Sequence, residues 1–207
     1  MKKTNRFCFY FLLMSFVLFF AYSCKKDSNK TENEAVTIGQ SYQGGVVAYI
    51  LKPGDNGYDA NVQHGLIAAS SDQSEYAPWG CREGLWGGSA LAGASGTSIG
   101  TGNQNTIDIM TGCSKAGIAA RLCGDLVLAG YNDWYLPSKD ELARLWDNKT
   151  AIGGFANNEW YWSSTQKWTS GSSGNYGDDA WAQDFGDGEQ SGVDAKMGPR
   201  VRAIRSF

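Results

Sequence analysis

Histidine is nearly absent: His64 stands alone in a chain of 207 residues. That excludes a zinc site built on two or more histidines and any relay of histidines. A nucleophile–histidine triad would have to run through this single side chain. His64 precedes Gly65 at the start of an apolar run, where a hydrogen-bonded structural histidine is the simpler expectation. Excess positive charge is missing too. Lys+Arg number 18 against Asp+Glu 21, a net charge of −3, whereas nucleic-acid binders carry a basic face, so no nucleic-acid partner is expected. Phosphate-binding motifs are lacking. The stretch Gly96-Thr97-Ser98-Ile99-Gly100-Thr101-Gly102 has neither the Gly-Lys-Ser/Thr ending nor the Gly-x-Gly-x-x-Gly spacing. Asp184-Phe185-Gly186 matches a kinase triplet without any other kinase part. The acidic residues Asp178, Asp179, Asp184, Asp187 and Glu189 lie close in sequence. Their spacing is not that of an EF-hand loop, and solvated turns account for them more simply than a calcium site. No metal or cofactor is expected.

What the chain does have is glycine, 27 residues without a three-residue period, and aromatics at 13%. Glycines supply tight turns, and aromatics fill a core where regular helix is scarce. This is a globular chain, neither collagenous nor of low complexity.

Lys2, Lys3 and Arg6 precede an apolar run from Phe7 to Tyr22, which is short for a membrane span and fits a signal sequence. The run ends Ala21-Tyr22-Ser23-Cys24, which resembles the lipobox of bacterial lipoproteins. The Cys24 thiol would then carry a diacylglycerol and become the mature N-terminus; an ordinary secretory signal is the alternative. Cleavage removes three basic residues and no acidic one, so the mature protein is the more acidic form. Lys25 to Glu34 contains no apolar residue and reads as a flexible tether. The expected organisation is a lipoprotein signal peptide at 1–23, a lipidated tether at 24–38 and one domain at 39–207. The expected address is the outer membrane or cell surface, with the membrane contacted through the N-terminal lipid.

Cys81, Cys113 and Cys123 remain in the mature chain, an odd number in an oxidising compartment. Ser114 to Val127 reads as a helix with Ser114 as N-cap. Ten residues of helix rise about 15 Å, whereas bridged Cα atoms lie within about 7 Å. Pairing Cys113 with Cys123 is therefore disfavoured. Cys81 with Cys113 is the better pair, and Cys123, on the face of Ala119, Leu122 and Leu126, reads as a buried free thiol.

Along the domain, Gly44–Leu51 and His64–Ala69 read as strands of a hairpin joined by the turn-rich Lys52–Gly57. Ser70 to Gly102 has no sustained period. Asn105 to Met110 reads as a short helix. Ser138-Lys139-Asp140-Glu141 is a capping box opening a helix that turns Leu142, Leu145 and Trp146 to one side. Trp160–Ser164, Ala180–Phe185 and Arg200–Arg205 read as strands, with a glycine- and serine-rich loop at Ser170–Gly177. The order implies an α+β domain with short antiparallel strands, two or three helices and long irregular loops.

Three blocks in order carry a resemblance: Asp133-Trp134-Tyr135-Leu136-Pro137-Ser138-Lys139-Asp140-Glu141-Leu142, then Tyr161-Trp162-Ser163-Ser164, then Val201-Arg202-Ala203-Ile204-Arg205. Together they resemble the Lcl C-terminal domain family over roughly Gly39 to Phe207. That resemblance implies a C-type-lectin-like fold, related to formylglycine-generating-enzyme-like domains. It also implies an exported protein, the adhesin that names the family being a glycosaminoglycan binder. This chain lacks the collagen-like repeat of that adhesin, and its mature charge is negative, so sulfated glycans would need a local patch, for which Lys196, Arg200, Arg202 and Arg205 are candidates.

Several constellations have two readings. Asp133 and Glu141 with Arg202 and Arg205 form either a ligand-binding ion cluster or a structural network; the network is favoured because buried arginines need carboxylates and carbonyls. Trp160 and Trp162 share a strand face and are expected in the core. Trp168, beside the glycine-rich loop, Tyr176 within it and Trp181 on the following strand are the candidates for stacking on sugar rings. The candidate ligand-binding set is therefore Trp168, Tyr176, Trp181, Arg200 and Arg202. It fits a non-catalytic lectin-like domain that binds glycan or a host or envelope protein. The alternatives are a polysaccharide-acting enzyme and a purely structural envelope module.

Overall fold

The computed structural model describes residues 35–81, 93–167 and 179–207. They build an α+β fold with two antiparallel sheets. In the first, β1 (Ser41–Tyr42) and β2 (Gly45–Ile50) are joined by a two-residue turn whose central residues, Gln43 and Gly44, have φ of 43° and 88°. That left-handed pair matches the twist of the strands it joins. β2 pairs with β3 (Gly65–Ala68) across an irregularity between Val47 and Tyr49, and β3 pairs with β7 (Ile204–Ser206), giving the order β1-β2-β3-β7. All four β3 residues are buried. A central strand covered on both faces reads as a continuous apolar run rather than an alternation.

The second sheet is a meander of β4 (Trp160–Lys167), β5 (Asp179–Asp184) and β6 (Gln190–Asp194). Four helices occur among the described residues: α1 (Gly102–Gly112), α2 (Ala119–Gly124), α3 (Lys139–Asp147) and the four-residue α4 (Lys149–Ile152). That is one more than the upper expectation, α4 being a single extra turn beyond α3. No helix among the described residues is long and apolar enough to cross a membrane.

Several elements differ from those expected. The helix expected over Ser114–Val127 shrinks to α2, with extended Ile118 rather than Ser114 at its start. Gly117 has a φ of 75°, and the Ala119 amide bonds the Pro78 carbonyl, so the turn before α2 is set by a tertiary contact. The last strand shortens to β7. Arg200 bridges Tyr161, Val201 bridges Ser74, and only from Ile204 does the chain join β3. β6 was not foreseen: Gln190-Ser191-Gly192-Val193-Asp194 has no apolar alternation and takes extended form by pairing with β5.

Buried residues form two clusters. One gathers Trp79, Ile109, Ile118, Cys123, Trp134, Leu136 and Trp162; the other gathers Tyr49, Leu66, Leu142, Leu145, Tyr161, Phe185 and Ile204. The indole N–H groups of Trp79 and Trp162 donate to the Ser163 and Ala77 carbonyls at 2.7 and 2.8 Å, which removes the penalty of burying them. Trp162 is fully buried, and Trp160 packs partly against the same cluster. Cys81 and Cys113 are bridged, with Cα atoms 5.3 Å apart and 32 residues of separation, a restraint worth about 3–4 kcal/mol by loop-closure entropy. Cys123 is a buried free thiol, its pKa pushed far up by burial. His64 Nδ1 lies 3.0 Å from the Phe207 carbonyl, tying β3 to the chain end.

Candidate functional site

The capping box exists as a local unit. Ser138 Oγ accepts from the Glu141 amide at 3.3 Å, and Glu141 Oε2 accepts from the Ser138 amide at 2.7 Å. Glu141 also takes the Gly100 amide at 2.8 Å, so the box pins a distant turn. Burial is the main influence on its carboxyl and raises the pKa, against these hydrogen bonds. Glu141 meets no arginine; its expected place in an ion cluster is corrected to a cap.

The box fixes Lys139, the first residue of α3. Its amide donates to Thr165 Oγ1 at 2.9 Å, and its carbonyl accepts from Gln190 Nε2 at 3.0 Å. Lys139 therefore stands beside both β4 and β6. On β5, Ala180 and Ala182 point into the core and Trp181, between them, points outward and is half-buried. The residue paired with Trp181 on β6 is Gly192. A Cβ at Gly192 would run into the Lys167 stem, so the glycine leaves room for that lysine to lie across the sheet. The outcome is an indole approached by two ammonium groups, Lys167 Nζ at 4.5 Å and Lys139 Nζ at 4.7 Å from the ring centroid.

Each cation is attracted to the ring by about 0.5–1 kcal/mol at an exposed site, while the two repel one another. An anion between them relieves the repulsion, and the ring beside them offers an apolar surface. The chemistry suits a sugar bearing a carboxylate or sulfate. Lys167 and Asp179 are paired across β4 and β5 at the ends of the segment 168–178. Trp168 and Tyr176 lie outside the described residues, as does Cys24.

Arg200 and Arg202 are brought together elsewhere, on Asp72. Arg202 is 1% exposed. Its Nε donates to Asp72 Oδ1 at 2.8 Å, Nη1 to the Ala69 carbonyl at 3.0 Å and Nη2 to the Gly154 carbonyl at 2.5 Å, while Phe155 lies under the guanidinium at 4.1 Å. Every face of that group is engaged inside the protein, so Arg202 offers nothing to a ligand. Arg200 Nη1 reaches Asp72 at 3.2 Å and Glu75 at 3.7 Å. The Tyr161 hydroxyl donates to the same Asp72 at 2.9 Å, and burial, first among its influences, pushes that phenol up to about 12. Arg205 makes a two-pronged bond to Asp133, 2.7 Å on each prong, and reaches Gln43 Oε1 at 2.6 Å. That bond holds the Asp133 carboxyl below its ordinary range. Among the described residues, no group of three or more His, Cys, Asp or Glu side chains is arranged to hold a metal.

Sequence reasoning missed the lysines beside Trp181 and the shared anchor Asp72. Lys139 was readable only as a residue of the cap, and nothing local marks Asp72 as the partner of a residue 130 positions away. It also missed Tyr76, 69% exposed, whose ring lies on Gly198 and borders a shallow groove of about 350 Å³ with Trp160 and Met197.

A search of curated proteins finds no match to the chain. The family model for the Lcl C-terminal domain matches residues 71–205. The match starts after β3 and takes in the helices, the second sheet and most of the closing segment, so β1, β2 and β3 complete the first sheet from outside it. It covers more than half of the chain, including all three sequence blocks singled out above, and the chain belongs to the Lcl C-terminal domain family.

Proposed function

We propose that this protein is a lipid-anchored envelope protein whose domain binds carbohydrate without transforming it, with a preference for anionic glycans. The observation that carries the reading is the Trp181 ring with the ammonium groups of Lys139 and Lys167 at 4.7 and 4.5 Å from its centroid. Family membership is compatible with an envelope-associated domain. The net charge is negative, so attraction for an anionic polymer has to come from a local group such as this one, and the two lysines supply it. Trp168 and Tyr176 belong to the segment that starts beside Lys167 and are proposed to extend the stacking surface. Arg200, tied to Asp72 and partly exposed, is at most a peripheral contact.

Retention on immobilised heparin and on a neutral polysaccharide tests the binding reading. Trp181→Ala is expected to lose retention on both. Lys139→Gln with Lys167→Gln is expected to lose the heparin preference and most of its salt dependence. Unchanged heparin retention in both variants overturns the site. Anchoring is tested separately through Cys24→Ala and metabolic labelling with a clickable fatty acid. Loss of label is expected, and label retained on the variant refutes lipidation at this residue.

A further inference from the structure

A polar cleft of about 630 Å³ opens between the β2–β3 loop, the turn at Ser98–Gly100 and α3. It is separate from the Trp181 platform, since its lining comes from Lys52, Asp55, Asn56, Ser98, Asp140 and Arg144 around the buried Tyr49. Its frame is tied down on each side. Asp55 Oδ2 accepts the Lys52 amide at 2.7 Å and the Tyr49 hydroxyl at 2.9 Å, which closes the loop onto β2. The Asp140 amide donates to the Thr97 carbonyl at 2.9 Å, and Ser138 Oγ donates to the Ser98 carbonyl at 2.9 Å, which joins the turn to α3.

The charges inside this frame are the informative feature. Lys52 Nζ and the Arg144 guanidinium lie 5.6 and 5.9 Å from the Tyr49 ring centroid. Arg144 pairs with Asp147 through one nitrogen at 2.7 Å. Among the described residues, neither the Lys52 ammonium nor the Asp140 carboxylate has a salt-bridge partner, although both line the one cleft. Lys52 stands on the loop wall and Asp140 on the helix wall. The Asp55 carboxylate takes both donors on Oδ2, which fixes it on the loop wall beside Lys52. A simple anion would meet Asp140 as well as the cations, and a simple cation would meet Lys52 and Arg144. Sugar stacking has no surface here, because Tyr49 is 5% exposed. A molecule with one positive and one negative end matches both walls.

We propose that this cleft binds small dipolar ions, namely free α-amino acids and short peptides with both termini unblocked. The carboxylate end lies toward Lys52 on the loop wall, the ammonium end toward Asp140 on the helix wall, and Ser98 and Asn56 contribute hydrogen bonds between them. Calorimetric titration of the full mature protein with the dipeptide alanylalanine tests this. Saturable binding is expected, and acetylating the amine or amidating the carboxylate is expected to weaken it about tenfold each, the scale of one hydrogen bond to a charged group. Asp140→Asn is expected to abolish the discrimination against the acetylated form, and Lys52→Gln to reduce discrimination against the amide. Lys52 is exposed on its loop, so that variant keeps the test valid if Asp140→Asn disturbs α3. Trp181→Ala leaves dipeptide binding unchanged while it removes glycan retention, which separates failure of one site from failure of the other. Absence of dipeptide binding, equal binding of the blocked forms, or equal binding of a neutral disaccharide would overturn the proposal.

Discussion

Two regions of this domain combine the same ingredients, a pair of cations and an aromatic ring, and put them to opposite use. Around Asp72, Arg202 lies over Phe155 with every donor direction engaged by a carboxylate or carbonyl, and the group is sealed. Around Trp181, Lys139 and Lys167 lie over an indole on the outward face of a sheet. The difference follows from side-chain chemistry and from what the backbone presents. A planar guanidinium satisfies several fixed acceptors at once and tolerates burial when they are supplied. A lysine ammonium is strongly hydrated and stays near solvent while its stem covers apolar surface. Cation–aromatic contact in this protein therefore means a sealed network where arginine, carbonyls and Asp72 converge, and a partly exposed cationic surface where lysines and a glycine gap meet.

The largest expected effect breaks the sealed side. Arg202→Met leaves Asp72 short of a partner and several carbonyls unmet. It should destabilise the fold by about 3–5 kcal/mol, the usual cost of breaking a buried ion pair from one side. Equilibrium denaturation in urea measures it, and a loss below 1 kcal/mol would mean that this network is not structural. A smaller effect is expected at Asp133, half-exposed and paired with Arg205. Its folded-state pKa is lowered, so its contribution is complete above the ordinary carboxylate range and is lost as pH falls through the lowered value. Solvent screening limits that contribution to about 1 kcal/mol. Asp133→Asn should therefore be less stable than the parent at neutral pH, and the two curves should converge in acid; a gap that persists at the lowest pH would sink the assignment. The smallest effect is on the open side. Replacing Lys139 and Lys167 with Gln should change stability by no more than about 0.5 kcal/mol, because exposed cation–aromatic contacts are weak and the lysines repel each other. A larger loss in thermal melts would move these lysines from the proposed recognition surface into the fold's support.

Legibility in the sequence tracked distance along the chain. The capping box was readable because Ser138 and Glu141 are three residues apart and their reciprocal bonds need no other element. The β2–β3 hairpin was readable from two apolar runs separated by turn residues. The helix around Cys123 was overextended because its N-terminal half has helical composition but is pulled into a loop by Gly117 and the Pro78 carbonyl. β6 left no trace because its extended form comes from pairing rather than from its own residues. The binding candidates were readable as residue types only. Trp181 is legible as an aromatic on a strand, but Lys139 and Lys167, which give it its charge, reach it from a helix and another strand, and the groups that bury Arg202 are remote in sequence.

By itself the sequence determined the caps, the main turns, the apolar runs, the α+β class and, through three separated blocks, the family. These rest on short-range torsional and hydrogen-bonding preferences and on patterns that survive without knowledge of neighbours. Tertiary structure alone decided which charges are buried and which stay open. Arg202 is silent because Asp72 and the carbonyls of Ala69 and Gly154 converge on it from remote parts of the chain. Lys167 reaches the Trp181 ring because Gly192 leaves the gap that its stem crosses. The free energy of a charged side chain is set by the groups around it in space, and those groups come from other elements of the chain.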